Sequence, residues 1–566
     1  LGKALDAALK SGTFRVPMQF KTCSRNIKYP LFLRRLFEKV VSSEGELLGK
    51  PCVACIKDIR QVAYIFYKYQ LPYEDRLVEA TVAEYITLDS DISELSPNAE
   101  VQGSMYYGAK VLEKIFQDFS PTFSRPSNGP GAVANRLQVH QRYKATAFYA
   151  DLDDLFSYCQ LYFFNDRHLF DRFEGYRNLQ TCAPGSCTAR VMVVPKDSRG
   201  PRVISCEQSE LMTYQQNLKN QVVPFIERHP LTCRQVNFTD QEINGKLALE
   251  SSKSGEYATL DLSSASDRLS LDLVDGLFEN TSIHSYIMKT RANKSVLPNG
   301  KTIELRKFAP MGSALCFPIQ ALSYYALLVG RMMALGESLG VAAKRVWVYG
   351  DDIIVPVDFV PDAIEVLESV GLKVNNDKSC YTGKFRESCG IDAFDGIDIT
   401  PTKLKKLWLQ TETQRGKKSV SRLTATTLIS WIAACNNLFA GGYWLASDVI
   451  RSKVEESGLH LPIISDHSSA IGYIAWSQDH ALQANRSNLK WSEDYQCNYL
   501  RAKVACSTPR LKSLDGWECL LRWQWDKVKE SYPAIKAFDE EPFTAQQFTD
   551  RHTVKIKSAL VLEHFL

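Results

Sequence analysis

The chain has 566 residues, 45% of them hydrophobic and 23% charged, with a formal net charge of +4. That is too much apolar content for a disordered chain and enough for several large cores, about three to five folded units. The near-neutral balance excludes any case for nucleic-acid binding from overall charge, so local clusters must carry it.

In chain order, residues 1–120 read as mainly helical structure with several breaks, and no signal-like apolar core stands at Leu1-Gly2-Lys3. Residues 121–136 form a Gly/Pro/Ser-rich loop. The run Cys187 to Pro195 is strand-like and enters a basic turn, with a second strand-like run at Arg202-Val203-Ile204. Ser251 to Glu256 reads as irregular. Tyr257-Ala258-Thr259-Leu260-Asp261 is an apolar strand ending on a carboxylate. A helix is expected from near Ser264 or Ser266, with Asp267 in its first turn. Pro310 and Gly312 shape a loop ahead of the apolar helix Leu315 to Leu328. The uncharged stretches 308–330 and 423–447 are interrupted by polar residues, Gly or Pro, so buried core helices are expected there rather than membrane spans. Arg345-Val346-Trp347-Val348 and Ile353 to Val357 flank Tyr349-Gly350-Asp351-Asp352, which reads as a tight hairpin. Beyond residue 400 the pattern turns mostly helical. The 15 cysteines include Cys52-x-x-Cys55, but no second close pair completes a zinc site, so reduced and mostly buried thiols are expected. There is no internal repeat and no Walker A pattern.

The hairpin lifts two adjacent carboxylates to its tip. Asp261 lies 90 residues before Asp351, which leaves room for a helical crossover that returns both strands to one sheet. Three converging carboxylates repel, and divalent metal relieves the repulsion. All-oxygen ligands suit two Mg²⁺ ions, with Mn²⁺ as a substitute, and a pair of such ions serves phosphoryl or nucleotidyl transfer. Asp261 and Asp351 are the expected ligands, with Asp352 supporting. Asp267 either faces a substrate or only caps its helix. Between Arg190 and Arg202 stand four Lys/Arg against one Asp. Cations such as Lys196, Arg199 and Arg202 could grip a triphosphate, or simply form a solvated turn. After residue 400, Lys403, Lys405, Lys406, Arg415, Lys417 and Lys418 make a basic run suited to an RNA backbone or to a solvated face.

In this order the segments resemble the RNA-dependent RNA polymerases of positive-strand RNA viruses, most of all the replicase subunit of the single-stranded RNA bacteriophages, the levivirus group. The basic strand-turn-strand resembles the fingers motif. Asp261 to Asp267 resembles palm motif A, Met311-Gly312-Ser313 motif B, Tyr349 to Asp352 motif C, and Lys373 to Lys378 falls where motif D lies. Phe385 to Gly390 and Gly396 to Pro401 resemble the phage segment after motif C. Where coliphage enzymes favour Met-Gly-Asn-Gly, this chain has Met311-Gly312-Ser313-Ala314, and Gln320 stands where many relatives carry an acid.

The resemblance implies an α+β right hand of palm, fingers and thumb, the palm an antiparallel sheet flanked by helices. Residues 1–120 would bridge fingers and thumb, 121–256 and 283–309 would form fingers, 257–282 and 310–400 the palm, and 401–566 a helical thumb and C-terminal region. It implies template-directed RNA synthesis on a single-stranded viral genome without a primer, in the cytoplasm of an infected bacterium. Asp261, Asp351 and Asp352 would hold the metals. Lys378, with Lys373 as rival, would protonate the leaving pyrophosphate. Asp267, Gly312 and Ser313 would sit at the ribose, and Arg386 and Ser388 at the primer. Template and nascent RNA, nucleoside triphosphates, host elongation factors Tu and Ts, and ribosomal protein S1 are the implied partners, with no membrane. The rivals are a reverse transcriptase, which usually sets a bulky residue against the 2′-hydroxyl, a template-independent terminal transferase, and a non-catalytic RNA-binding palm.

Overall fold

The computed structural model describes residues 1–24, 26–92, 97–123, 127–162, 179–408, 410–415, 418–465, 468–527 and 546–563. Within them the chain is a mixed α+β protein. Its centre is a three-stranded antiparallel sheet in the order Trp347–Tyr349, Asp352–Pro356, Tyr257–Asp261. Ala258, Leu260, Ile353, Ile354 and Val355 are all buried. Both faces of the sheet are covered, which is why these strands read as unbroken apolar runs rather than alternating ones.

The expected hairpin is present. Tyr349 pairs with Asp352 across a turn made of Gly350 and Asp351. Gly350 has a φ of +65°, and a Cβ there would lie 2.3 Å from the Phe317 ring, so both conformation and space call for glycine. The apolar stretch after Pro310 forms the helix Cys316–Ala334, buried along nearly its whole length. Helix Ala99–Phe116 packs on it so closely that a Cβ on Gly330 would stand 2.2 Å from the Ser104 carbonyl and 2.6 Å from the Gly108 nitrogen. Among the described residues no helix is long and apolar enough to cross a membrane.

A second sheet joins the basic hairpin, Thr188–Asp197 with Gly200–Cys206, to Lys294–Val296 and Thr302–Glu304. A third, Phe385–Ser388, Ile391–Phe394 and Ile397–Asp398, shares a core with the N-terminal residues Leu5, Phe14, Phe37 and Ile56. Arg60, buried at 2% exposure, ties these layers by pairing with both Asp6 and Asp392. Cys52 and Cys55 are free thiols.

Three expectations need correction. The stretch read as irregular, Ser251 to Ser254, is the last turn of helix Glu242–Ser254, which Gly255 ends in a left-handed conformation. The region beyond residue 400 is helical only in part: Ala425–Ala440, Trp444–Glu455, Gln478–Asn485 and Gly516–Lys527. Gln410–Arg415 and Lys418–Leu423 form a hairpin, and Cys497–Leu514 pairs with Gln546–Glu563 as two strands of 18 residues. Val554-Lys555-Ile556-Lys557 carries the period-two signal that the aromatic content around it obscured. Finally, Arg386 is 1% exposed and donates to the carbonyls of Tyr257 (2.7 Å), Phe385 (2.8 Å) and Gly383 (3.0 Å). It braces two sheets and has no free face for a primer, and Ser388 beside it is equally buried.

Gly330→Ala should force the two packed helices apart and lower stability by about 1–3 kcal/mol, as overpacked cores do. Gly340→Ala, which meets nothing within 4 Å, should be neutral or slightly stabilising. Urea unfolding of the two variants beside wild type checks this, and equal midpoints would refute the close packing.

Candidate active site

The acidic cluster is built by backbone register. Asp352 stands directly opposite Asp261 in the antiparallel pair, which places both side chains on one face. Asp351 occupies the adjoining turn and is exposed. The sequence-predicted carboxylates therefore come together at one end of the central sheet.

Polar residues from the segment after helix Val360–Ser369 hold Asp261. Lys378 Nζ donates to Asp261 Oδ1 at 2.9 Å, and Asn375 Nδ2 to Oδ2 at 3.1 Å. The Asn375 backbone N–H reaches the Asp261 carbonyl at 2.8 Å, and the Asp261 N–H donates to Ser379 Oγ at 3.1 Å. Lys373 is exposed, and its carbonyl accepts from the Ser263 N–H at 2.8 Å. Asp352 Oδ2 accepts the Cys389 N–H at 3.2 Å.

Electrostatics follow from this crowding. Burial, then the charges of Asp351, Glu387 and Asp261, push the Asp352 carboxyl up to about 7. Asp261 is also raised, by burial first and by Asp351, although Lys378 pulls it down. Burial works against the Lys378 ammonium, yet Asp261, Glu387 and Asp351 raise it overall, so it stays protonated. Glu387 is raised by burial and then by Asp392, with Asp261 adding to the effect, and is a carboxylate that sequence reasoning did not assign to the site. Among the described residues no three acid, His or Cys side chains close into a ready metal cage.

The basic hairpin borders this cluster. Lys196 is pushed down by burial and then by Arg202, with Arg199 and Lys378 adding to it, which places the hairpin within the field of Lys378. Arg202 is exposed on its strand. Arg199 is engaged: it pairs with Asp197 at 2.7 Å and lies over the Tyr67 ring at 4.7 Å.

Gly312 has a φ of +133°, and a Cβ on it would fall 2.0 Å from the Ser205 carbonyl. The loop thus lies flat on the basic hairpin, with the Ser205 N–H donating to the Met311 carbonyl at 2.8 Å. Ser313 is 9% exposed, and its hydroxyl donates to Gln215 Oε1 at 3.0 Å, an oxygen that also accepts the Ala314 N–H at 2.9 Å. Asp267 does not cap its helix, Ala265–Arg268; its carboxylate pairs with the buried Lys307 at 2.9 Å. Burial first, then Asp267, Glu207 and Asp351, raise the Cys316 thiol, so motif A and motif C charges converge on the start of helix Cys316–Ala334.

The basic run lies along 403–418. Lys403 faces the Tyr64 ring at 5.8 Å, and Lys406 donates to Gln70 Oε1 at 2.6 Å. Lys405 is exposed. Arg415 and Lys418 pair across the hairpin end, and Lys417 lies outside the described residues. Sequence reasoning missed Ser379, Gln215 and Lys307, which reach their partners from distant segments with no local motif, and passed over Asn375 and Glu387 within segments it had marked by resemblance.

The segment that builds this site, residues 179–411, matches the family described as RNA replicase, beta-chain. Over that segment the chain is similar to the replicase beta subunits of the RNA phages. It is 36% identical over 212 residues to the RNA-directed RNA polymerase subunit beta of Qbeta virus (strain MX1), covering 38% of this chain and 34% of that protein. It is 32% identical over 269 residues to the RNA-directed RNA polymerase beta chain of Escherichia phage MS2, covering 46% and 47%. The chain thus spans between a third and a half of the curated relatives it matches. Among solved structures, the RNA-dependent RNA polymerase of BmCPV at elongation state aligns with a TM-score of 0.36 at 10% identity, over 60% of this chain and 32% of that one.

The raised Asp352 has a consequence for stability. In the folded, metal-free protein it holds its proton up to about pH 7, whereas an unfolded carboxyl releases it in the ordinary acid range. The folded state binds the extra proton between those limits, so stability falls as pH rises through them. Thermal unfolding in chelator from about pH 5 to about pH 8 should show that decline, and Asp352→Asn should flatten it. Parallel slopes for the two proteins would rule the assignment out.

Proposed function

We propose that this chain is an RNA-directed RNA polymerase that copies a single-stranded phage RNA from ribonucleoside triphosphates. The observation that carries the reading is the Asp261–Asp352 cross-strand pair with Asp351 on the turn beside it. The family match of residues 179–411 supports it. In this reading the central sheet and its helices are the palm, the sheet holding the basic hairpin belongs to the fingers, and the region after residue 400 contributes the thumb.

The donor set fits divalent metal in its chemistry: oxygen-only ligands whose mutual repulsion already raises Asp261 and Asp352. Asp261 and Asp351 would hold two Mg²⁺ ions, with Asp352 beside them. When bound, such ions acidify the attacking 3′-hydroxyl and neutralise the leaving pyrophosphate. The residues of the chain supply the rest. Lys196 and Arg202 meet the triphosphate, and Arg199 stiffens their turn through Asp197. Asp267 offers the incoming 2′-hydroxyl a carboxylate, and a 2′-hydroxyl can donate to it where a deoxyribose cannot. Gly312 lets the motif B loop lie against the hairpin. Lys378, protonated and half-exposed, gives its proton to the pyrophosphate. Lys403, Lys405 and Lys406, with the hairpin ending at Arg415 and Lys418, form the track for template or product backbone. Initiation without a primer, host elongation factors Tu and Ts, ribosomal protein S1 and the cytoplasm of an infected bacterium complete the reading by resemblance.

Labelled nucleotide incorporation on a defined single-stranded RNA with Mg²⁺, with and without bacterial extract, tests it. Full-length complementary RNA is expected from wild type and none from Asp351→Asn. Lys378→Ala should slow the chemical step by roughly 10²–10⁴-fold, the usual contribution of a general acid. Mg²⁺ should also raise the melting temperature of wild type near neutral pH more than that of Asp351→Asn. Tight RNA binding without any synthesis in either condition would favour a non-catalytic role, and synthesis without template a terminal transferase.

A further inference from the structure

Lys307 is 0% exposed, and so long a polar side chain is buried at a cost unless polar partners meet its end. Its Nζ lies 2.9 Å from Asp267 Oδ1, 3.4 Å from the Tyr85 carbonyl and 3.7 Å from the centre of the Tyr85 ring. Asp89, on helix Asp75–Ser90, stands 3.8 Å from the same ammonium. Asp89 is occupied with the backbone: it accepts the N–H of Arg306 at 3.2 Å and of Lys307 at 3.1 Å. Asp89 therefore anchors the main chain that carries Lys307, while the ammonium is directed at Asp267.

Asp267 is differently placed. Its side chain keeps 24% exposure, so the ion pair is closed on the Lys307 side and open on the other. The helix that bears it has only four residues, Ala265–Arg268, and is pinned by Tyr324 Oη donating to the Ala265 carbonyl at 3.1 Å. Backbone bonds run alongside, from the Leu271 N–H to the Arg306 carbonyl (2.9 Å) and from the Phe308 N–H to the Leu269 carbonyl (2.8 Å). Lys307 and Asp267 thus sit on paired segments with little freedom between them. For stability alone an apolar pair would serve as well as a buried ion pair. An apolar pair could not present an acceptor oxygen on the exposed side of Asp267.

We propose that Lys307 is a positioning residue that fixes the Asp267 carboxylate for the 2′-hydroxyl of the incoming nucleoside triphosphate, so that ribose selection depends on the Lys307–Asp267 pair and, through Asp89, on helix Asp75–Ser90. The inference rests on the polymerase reading above. It names the residue that gives Asp267 its direction.

The test is single-nucleotide incorporation by the full chain on a primed RNA template with Mg²⁺, comparing CTP, 2′-deoxy-CTP and 3′-deoxy-CTP. In Lys307→Met the preference for CTP over 2′-deoxy-CTP should fall by about tenfold or more, because a site built to bond a hydroxyl discriminates only while its acceptor is held in place. The preference between CTP and 3′-deoxy-CTP, which both carry the 2′-hydroxyl, should not change. Asp267→Asn should lose the same preference, and the double variant little more, since the two act as one unit. If Lys307→Met does not fold, Lys307→Gln gives the same comparison. A variant slowed equally on all three nucleotides overturns the inference and leaves Lys307 a structural residue. Absence of incorporation by wild type would instead defeat the polymerase reading on which it rests.

Discussion

Asp352 faces Asp261 across an antiparallel pair, with Asp351 on the next turn, and this enforced proximity of like charges is the constraint around which the central layers are arranged. Two carboxylates about 5 Å apart at an effective dielectric near 20 repel by roughly 3 kcal/mol. Opposing this are the ladder hydrogen bonds, about 1 kcal/mol net each. The larger opposing contribution is burial of Ile353, Ile354, Val355, Ala258 and Leu260, about 1.5–3 kcal/mol for each large side chain. Packing therefore outweighs repulsion, and the carboxyl groups stay together because the strands beneath them are buried on both faces. The remaining stress is visible in the upward shifts of Asp352 and Asp261.

Part of that packing is supplied from outside residues 179–411. Helix Ala99–Phe116 lies backbone to backbone on Cys316–Ala334 at Gly108 and Gly330, which fixes the helix from which Phe317 covers Gly350. Asp89 anchors the strand-like segment that delivers Lys307 to Asp267. Arg60 clamps the N-terminal layer to the sheet after the hairpin through Asp6 and Asp392. Residues far from the acidic cluster in sequence thus set its geometry by rigid contact, and none carries a recognisable motif.

This explains what could be read from residues alone. The hairpin at Gly350, the carboxylate ending Tyr257–Asp261 and the basic turn at Arg199 were legible because each is a local pattern of apolar runs around turn residues. From residues alone Asp267 was legible only as either substrate-facing or a helix cap, since its partner lies 40 residues away in a segment with no signature. Arg386 misled, because a cation in a family-like segment is read as exposed unless the carbonyls it will meet are known. The long strand pair near the C-terminus was missed for a related reason: alternation at 554–557 is short, and the pairing that stabilises it is supplied by residues some fifty positions earlier.

Lys378 shows how the resting geometry relates to the proposed reaction. It now neutralises Asp261 at 2.9 Å with its side chain half-exposed, and an ion pair of that kind contributes about 1 kcal/mol or less. A triphosphate with its divalent ions brings far stronger fields to both partners. Asp261 would exchange an ammonium for metal, and Lys378 would turn to the phosphates already bordered by Lys196 and Arg202. The ammonium is kept protonated by the same carboxylates that the metals would engage. In the polymerase reading, an ammonium held protonated in this way would meet the leaving pyrophosphate with a proton to give. In the same reading the weak pair is a resting state from which substrate would release Lys378 to act as the general acid.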